Sequence, residues 1–333
     1  MSIETYREKT RILIDETSIR TEDIFEYDLS EHSDEFDEII TFYQQTLDLN
    51  QSYGITPATI FLNPSFSLNA KASKQNNHYM ISLNMGTVVG LIQRFRDNTS
   101  LIDSDALSDY KDFENSLDTP ISMLMYQNAL NYTFYHEMAH LIQGSELLQK
   151  TLNEQPTAEG GYSELKHLLE LDADEFSAIS ISTLVYQYSH QMFGDNMTII
   201  QFEKVFVIAI TAVFLYLKSF PSDRRDIYYE ESSHPHPIIR ITALITAVVS
   251  HCSALLAEKG FSFVIDKKKL IYKTIELSEL MAPSIFTNYQ PWRYTDILRS
   301  ETDNILAYLR KFEELKTLDD SLATKKWNTN IEK

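Results

Sequence analysis

The stretch His136-Glu137-Met138-Ala139-His140 lies inside a segment that carries helix signals at both ends. Thr119 can cap the first turn, and Pro120 suits the first helical position because an N–H there has no intrahelical partner. Gly144 suits the position just beyond the last turn, where the left-handed backbone conformation is common. We therefore predict a helix from about residue 120 to residue 143 that carries this stretch.

Two histidines four residues apart project from the same face of a helix, so His136 and His140 can bind one metal ion. Glu137 lies beside them in the chain and has the position of the general base in a zinc metallopeptidase. Most other positions of this helix are apolar, where these three side chains would be costly to bury without a partner. The alternative is two structural histidines with a surface glutamate. We favour a catalytic site with one Zn²⁺ per chain.

A catalytic zinc site needs a third protein ligand, and the next acidic helix offers it. Gln143 and Glu146 occupy the positions where the longer HExxHxxGxxH pattern has Gly and His, so that pattern is excluded. Glu170 and Asp174 are four residues apart: we assign Glu170 as the third ligand and Asp174 as the acceptor of a hydrogen bond from a ligand histidine. The bland alternative is an acidic helix face. Two further candidates for the third ligand are His167 and Asp172.

A third motif, residues 233–241, places two histidines and an arginine at the entry of an apolar helix. Pro235 and Pro237 restrict the backbone around them. His234 and Arg240 are our candidates for stabilising the oxyanion of a tetrahedral intermediate or for supporting the metal ligands. His236 is the alternative to His234. The competing interpretation is a proline-rich helix entry with exposed histidines.

Taken together, the three motifs resemble the gluzincin metallopeptidases of the HtpX and CAAX-prenyl-protease type. The motifs are HExxH at residues 136–140, ExxAD at residues 170–174 and HPxxxxR at residues 234–240. Residues 63–68 and 81–91 are similar to the hairpin and following helix of that family. The resemblance covers about residues 55–245, and it implies a zincin core and zinc endopeptidase activity.

Those enzymes are often membrane-embedded, whereas this chain has no convincing membrane span, so among soluble relatives it is most similar to the Lit-type phage-exclusion peptidases. That narrower resemblance implies a cytoplasmic enzyme that defends against phage by cleaving a host protein, with a translation factor as the substrate class.

Composition excludes several other classes of function. The 333 residues include 48 acidic and 29 basic side chains, a net charge of −19, which disfavours binding to nucleic acid or to an anionic membrane surface. The longest uncharged runs, residues 205–217 and 241–257, are shorter than the roughly 20 residues of a membrane span. A single cysteine, Cys252, suits a core position in a reducing compartment. With no apolar signal segment in residues 1–9, we expect a cytoplasmic protein.

We predict an α+β fold that is mostly α-helical, with a small antiparallel sheet beside the active-site helix. Residues 59–62 and 78–83 are the expected strands, and we expect substrate to pair with the second of them as an edge strand. The expected domains are an acidic arm and helix (1–50), a zinc metallopeptidase domain (51–260) and a C-terminal helical extension (261–333).

Two acidic segments, residues 15–38 and 96–118, suggest lids that an activating partner would open, or simply solvated loops. The expected partners are thus a protein or peptide substrate and an activator, without nucleic acid or stable membrane insertion. Two competing functions are a non-catalytic, zincin-derived sensor and a membrane-associated peptidase anchored by residues 241–257. Glu137 favours the enzyme, because a purely structural zinc site does not require it.

Overall fold

A computed structural model describes residues 3–144, 152–153, 161–220, 226–287 and 293–331. This part of the chain is mostly helical with one small sheet, which confirms the predicted mostly α, α+β class. Its helices are α1 (Ile3–Glu16), α2 (Ser33–Leu49), α3 (Met85–Leu91), α4 (Ser108–Glu114), α5 (Ile121–Gln143), α6 (Glu164–Phe193), α7 (Ile199–Leu217), α8 (Pro237–Glu258), α9 (Lys267–Ile285), α10 (Tyr294–Lys316) and α11 (Ala323–Ile331).

The sheet has four strands in the order β1-β3-β2-β4, namely β1 (Ala58–Asn63), β2 (Ala70–Gln75), β3 (His78–Asn84) and β4 (Leu152–Asn153). The β1 and β3 strands are parallel, whereas β2 is antiparallel to both β3 and β4. The expected antiparallel sheet is therefore mixed. The β2 strand is not predictable from its composition, because Ala-Lys-Ala-Ser-Lys-Gln lacks the β-branched and aromatic residues typical of strands.

The prediction that residues 78–83 form an edge strand is wrong, because β3 lies in the centre of the sheet between β1 and β2. Two asparagines, Asn76 and Asn77, form the β2–β3 turn with positive φ angles of 46° and 68°, as a two-residue hairpin requires. The outer edge of β1 is also occupied, since the Gln44 side chain bonds Ala58 O and Ile60 N.

Gly86, in the first turn of α3, allows a close backbone approach. A Cβ atom at this position would lie 2.2 Å from the carbonyl carbon of Phe66, so no larger residue fits without a shift of the backbone. The Gly86 N–H donates to Ser65 O at 3.0 Å. This contact fastens the loop after β1 to the helix after β3.

The structure divides into two compact units, and the division falls within α5 after Tyr132. The first unit comprises residues 1–90, 133–155 and 319–333 and contains the sheet; the second comprises residues 91–132 and 156–318 and is helical. In the first unit, Phe25 N–H donates to Leu62 O and the buried Tyr27 hydroxyl donates to Asp37. Around Phe25 and Tyr27, the acidic 15–38 segment is therefore packed on the first unit and is not a solvated loop.

Within the second unit, the acidic 96–118 segment also has structure of its own. It forms α4, and it buries Leu107 and Phe113. Lys204 donates to the carboxylate of Asp109 at 2.9 Å. The premise of a structureless lid is therefore wrong for this segment, because apolar side chains and an ion pair hold it in place.

Two helices, α7 and α8, are long and apolar enough to cross a membrane by length and composition alone. Of the most apolar 18-residue window in each, 78% is buried in α7 and 61% in α8. Cys252 lies in α8 and is fully buried, which confirms its assignment to the core. Burial raises the pKa of its thiol to about 12, so it is unreactive at neutral pH.

Candidate metal centre

Helix α5 presents both histidines of the HExxH stretch on one buried face. The exposed fraction of the side chain is 0% for His136 and 1% for His140, and their Nε2 atoms are 3.2 Å apart. Two nitrogens that each bind zinc at about 2.05 Å with a tetrahedral angle are roughly 3.3 Å apart. The two imidazoles therefore already have the separation that a shared Zn²⁺ requires.

Glu170, from α6, completes the group. Ser163 caps the start of α6, because its side chain accepts a hydrogen bond from Lys166 N–H. The candidate ligand atoms of His136, His140 and Glu170 all lie within 4.8 Å of one another, and all three residues are buried. Two imidazole nitrogens and one carboxylate oxygen are the donor set of a catalytic zinc site, so these residues fit the metal.

His167 and Asp172, the two other candidates for third ligand, are not members of this group in the described part of the chain. Both ring nitrogens of His167 have partners elsewhere: Nδ1 faces the Tyr308 hydroxyl, and Nε2 lies 2.9 Å from Ser232 O. Burial lowers the pKa of His167, so its neutral form is favoured. His167 therefore holds α6 to α10 and to the loop before α8.

Glu137 is fully buried, at 0% exposure, next to His136 in the chain. A buried carboxylate is costly unless it is paired or binds a metal. The alternative interpretation of the motif, which placed this glutamate on the surface, therefore does not describe the structure.

Asp174 lies one turn after Glu170 and forms a buried network with Arg240 and Tyr132. Arg240 donates to the carboxylate of Asp174 from Nε at 2.9 Å and from Nη2 at 2.8 Å. Arg240 Nη2 also donates to the Tyr132 hydroxyl at 2.7 Å, and that hydroxyl donates to Asp174 Oδ1 at 2.6 Å. Burial alone lowers the pKa of Arg240, but the Asp174 charge more than reverses this and raises it. Arg240 is therefore a buried cation that holds α6, α8 and α5 together.

The two histidines at the start of α8 have different surroundings. His234 Nε2 lies 3.2 Å from Glu170 Oε1, and its Nδ1 lies 2.9 Å from the Ser233 hydroxyl. His236 instead caps α8, because its Nδ1 accepts a hydrogen bond from Ile238 N–H at 3.1 Å. Burial, with the Lys218 charge nearby, lowers the pKa of His236 to about 3. Thus His234 is the histidine that faces a candidate metal ligand, and His236 is a neutral helix cap.

Sequence reasoning missed two side chains of this region. Tyr132 lies one helical turn before His136, a spacing that a search for hydrogen-bond partners on α5 would include. Gln143 follows His140 by three residues, and its Oε1 lies 2.9 Å from His140 Nδ1. In the sequence, Gln143 stands out only as the residue at a glycine position of the longer pattern, although metal-binding histidines commonly donate their second ring N–H to an acceptor.

Comparison with known proteins adds one finding. A family model described as peptidase U49 matches residues 103–258, a little under half of the chain. The matched range contains every candidate ligand and catalytic residue named above. No curated protein and no solved structure matches the chain. This chain is therefore similar to the peptidase U49 family over its helical region from α4 to α8.

Proposed function

We propose that this protein is a zinc-dependent endopeptidase that hydrolyses peptide bonds of an intracellular protein. The observation that carries the proposal is the buried group of His136, His140 and Glu170, together with the burial of Glu137, the residue that follows His136 in the chain. The similarity to the peptidase U49 family supports the reaction class. The donor set, which is that of a catalytic zinc site, supports the choice of metal.

His136, His140 and Glu170 would hold the ion, and bound zinc supplies a Lewis acid for the scissile carbonyl and a lower pKa for water. Glu137 is the general base: its carboxylate accepts a proton from the attacking water and passes it to the nitrogen of the leaving amine.

Asp174 on α6, Arg240 on α8 and His234 in the loop before α8 support this centre. His234 Nε2 is close enough to Glu170 Oε1 to donate a hydrogen bond, and Arg240 Nη2 lies 3.6 Å from Glu170 Oε2. Both contacts lie at the carboxylate that would hold the ion, so they can orient it. We therefore assign Arg240 and Asp174 to positioning, and we keep His234 as the candidate for contact with the oxyanion.

We further propose that the enzyme acts in the cytoplasm and that it defends the cell against phage by cleaving a host protein. The support is the resemblance to the Lit-type peptidases together with the low pI of about 4.8, which disfavours anionic surfaces. The need for an activating partner remains a prediction. It now rests on the expectation that an unrestrained cytoplasmic peptidase would damage its own cell.

The test compares three samples in the same protein extract: the purified chain with zinc, the same chain after chelation, and the chelated chain with zinc restored. We expect new peptide termini in the first and third samples only. Glu137→Gln protein with full zinc content is the matched control, because the amide keeps the shape of the side chain and removes the base. New termini that persist after complete chelation would contradict a metal-dependent reaction.

A further inference from the structure

The ammonium group of a lysine that is distant in sequence contacts the C-terminal end of α5. Helix α5 ends at Gln143, and Gly144 follows it with φ of +62°. The last carbonyls of a helix have no intrahelical N–H partner. Lys326, on α11, donates from Nζ to Ile142 O at 2.6 Å and to Gln143 O at 3.2 Å. Since the C-terminal end of a helix carries partial negative charge, this contact is favourable.

Gln143 accepts a hydrogen bond from Lys326 through its backbone carbonyl, and its side chain contacts His140, a candidate metal ligand. The side chain of Gln143 is 2% exposed, and its Oε1 lies 2.9 Å from His140 Nδ1. If Nε2 of His140 binds metal, its proton must be on Nδ1, which then donates to the Gln143 oxygen. This hydrogen bond fixes both the tautomer and the orientation of the His140 ring.

Helix α11 is anchored well enough to place Lys326. Leu322 and Ala323, at the start of the helix, are fully buried. Lys326 is partly buried, whereas the neighbouring Lys325 pairs with the exposed Asp320 at 3.1 Å. Lys326 and Lys325 therefore have different roles although they are adjacent.

We propose that α11 positions a ligand of the metal centre through Lys326. Lys326 fixes the backbone of Gln143, and Gln143 in turn fixes His140 with its Nε2 toward the metal. Both are positioning residues, since they act through His140. The inference rests on the proposed function, because it assumes that His140 is a metal ligand. It goes further in assigning a metal-centre role to residues 323–331, more than 180 positions away in sequence from the ligand.

A purely structural role is the rival explanation, because any cation at a helix end stabilises the helix. The two explanations differ in what they expect of metal binding. If Lys326 only stabilises α5, its removal lowers the melting temperature of the metal-free protein and leaves the zinc affinity unchanged. A positioning role weakens zinc binding in variants that remain folded.

The experiment measures zinc affinity of the full-length chain by competition with a chelator, together with the melting temperature of the metal-free form. We expect Gln143→Leu to bind zinc about 10- to 100-fold more weakly than wild type. Lys326→Met should weaken binding by about 3- to 10-fold, since its contact is one step further from the metal. Lys326→Arg and Gln143→Glu retain the donor and the acceptor, so both should bind nearly as wild type does. Lys325→Met is the control and should change nothing.

Each result decides between the explanations. Wild-type affinity in folded Lys326→Met or Gln143→Leu protein would overturn the positioning role while leaving the proposed function intact. Absence of zinc binding by the wild-type chain would overturn the proposed function itself. If Lys326→Met does not fold, Lys326→Gln is tested in its place. The glutamine side chain is shorter, so its amide cannot bridge the carbonyls of Ile142 and Gln143.

Discussion

Arg240 and Asp174 face each other through two hydrogen bonds of 2.9 and 2.8 Å, and both side chains are at least 97% buried. Planar guanidinium and carboxylate groups that meet in this way form the strongest class of ion pair in proteins. The Tyr132 hydroxyl bridges the two groups, and the pair joins α6 to α8. Because Glu170 lies one turn before Asp174, the network also fixes the helix that carries the candidate ligand.

Removing one partner of this pair is expected to destabilise the fold strongly. Arg240→Met leaves the Asp174 carboxylate buried without its cation, which should lower the free energy of unfolding by about 3 to 5 kcal/mol. Urea denaturation of the metal-free protein measures this. The surface variant Arg299→Met, whose side chain is 63% exposed, should change stability by less than about 0.5 kcal/mol. An equal decrease in the free energy of unfolding in the two variants would show that the buried pair stabilises the fold no more than a surface side chain does.

Zinc binding should depend on the two histidines of the HExxH stretch. His136→Ala and His140→Ala should each remove most of the zinc from the purified protein, since two of three protein ligands cannot hold the ion tightly. Metal analysis after gel filtration measures the ratio of zinc to protein, for which we expect one in the wild type. His190→Ala, at an exposed site, is the control. Full zinc content in either ligand variant would place the metal elsewhere.

Glu170 and Asp174 should differ in their effect on metal binding. Glu170→Ala removes a ligand, so zinc affinity should fall to the level of the histidine variants. Asp174→Asn changes a supporting group, for which a loss of about 10- to 100-fold is expected. Chelator competition on both proteins compares the two affinities. A larger loss in Asp174→Asn than in Glu170→Ala would reverse the assignment of the third ligand.

We expect the free energy of unfolding to depend on pH through Lys218, a buried lysine that is not part of the candidate metal centre. Its side chain is 8% exposed, with Nζ 4.6 Å from the centre of the Tyr294 ring, and burial lowers its pKa to about 7. In the unfolded chain a lysine titrates near pH 10.4, so between these values the unfolded state binds more protons. The free energy of unfolding should therefore rise with pH across this range, by at most about 1.4 kcal/mol per pH unit.

Urea denaturation at pH 7 and pH 9 tests this expectation. Lys218→Met should lose the rise, whereas Lys268→Met, on an exposed helix start, should keep it. A wild-type rise that is unchanged in Lys218→Met would show that Lys218 is not its source.

Local signals in the sequence were enough to predict α5. The motif spacing placed His136 and His140 on one face, and the glycine after Gln143 marked the end of the helix, because both features depend on a few neighbouring residues. The same kind of signal, a spacing of four residues, placed Glu170 and Asp174 on one face of α6.

Contacts between distant segments were not predictable in this way. The polar β2 strand gains its place from pairing with β3 and β4, which no local propensity records. The choice between His234 and His236 depended on which ring meets Glu170 and which caps α8. Lys326 carries no motif at all, and only the fold brings it to the end of α5.

We propose that Glu137 is the general base for peptide-bond cleavage at the candidate metal centre, and that this reaction takes place in the cell. The most direct measurement labels new protein termini in cells that express the wild type or Glu137→Gln at equal levels and equal zinc content. We predict a discrete set of new termini, concentrated in one or a few host proteins, in the wild-type cells and their absence with Glu137→Gln. Identical termini in both cells, obtained with protein shown to be folded and loaded with zinc, would contradict the claim.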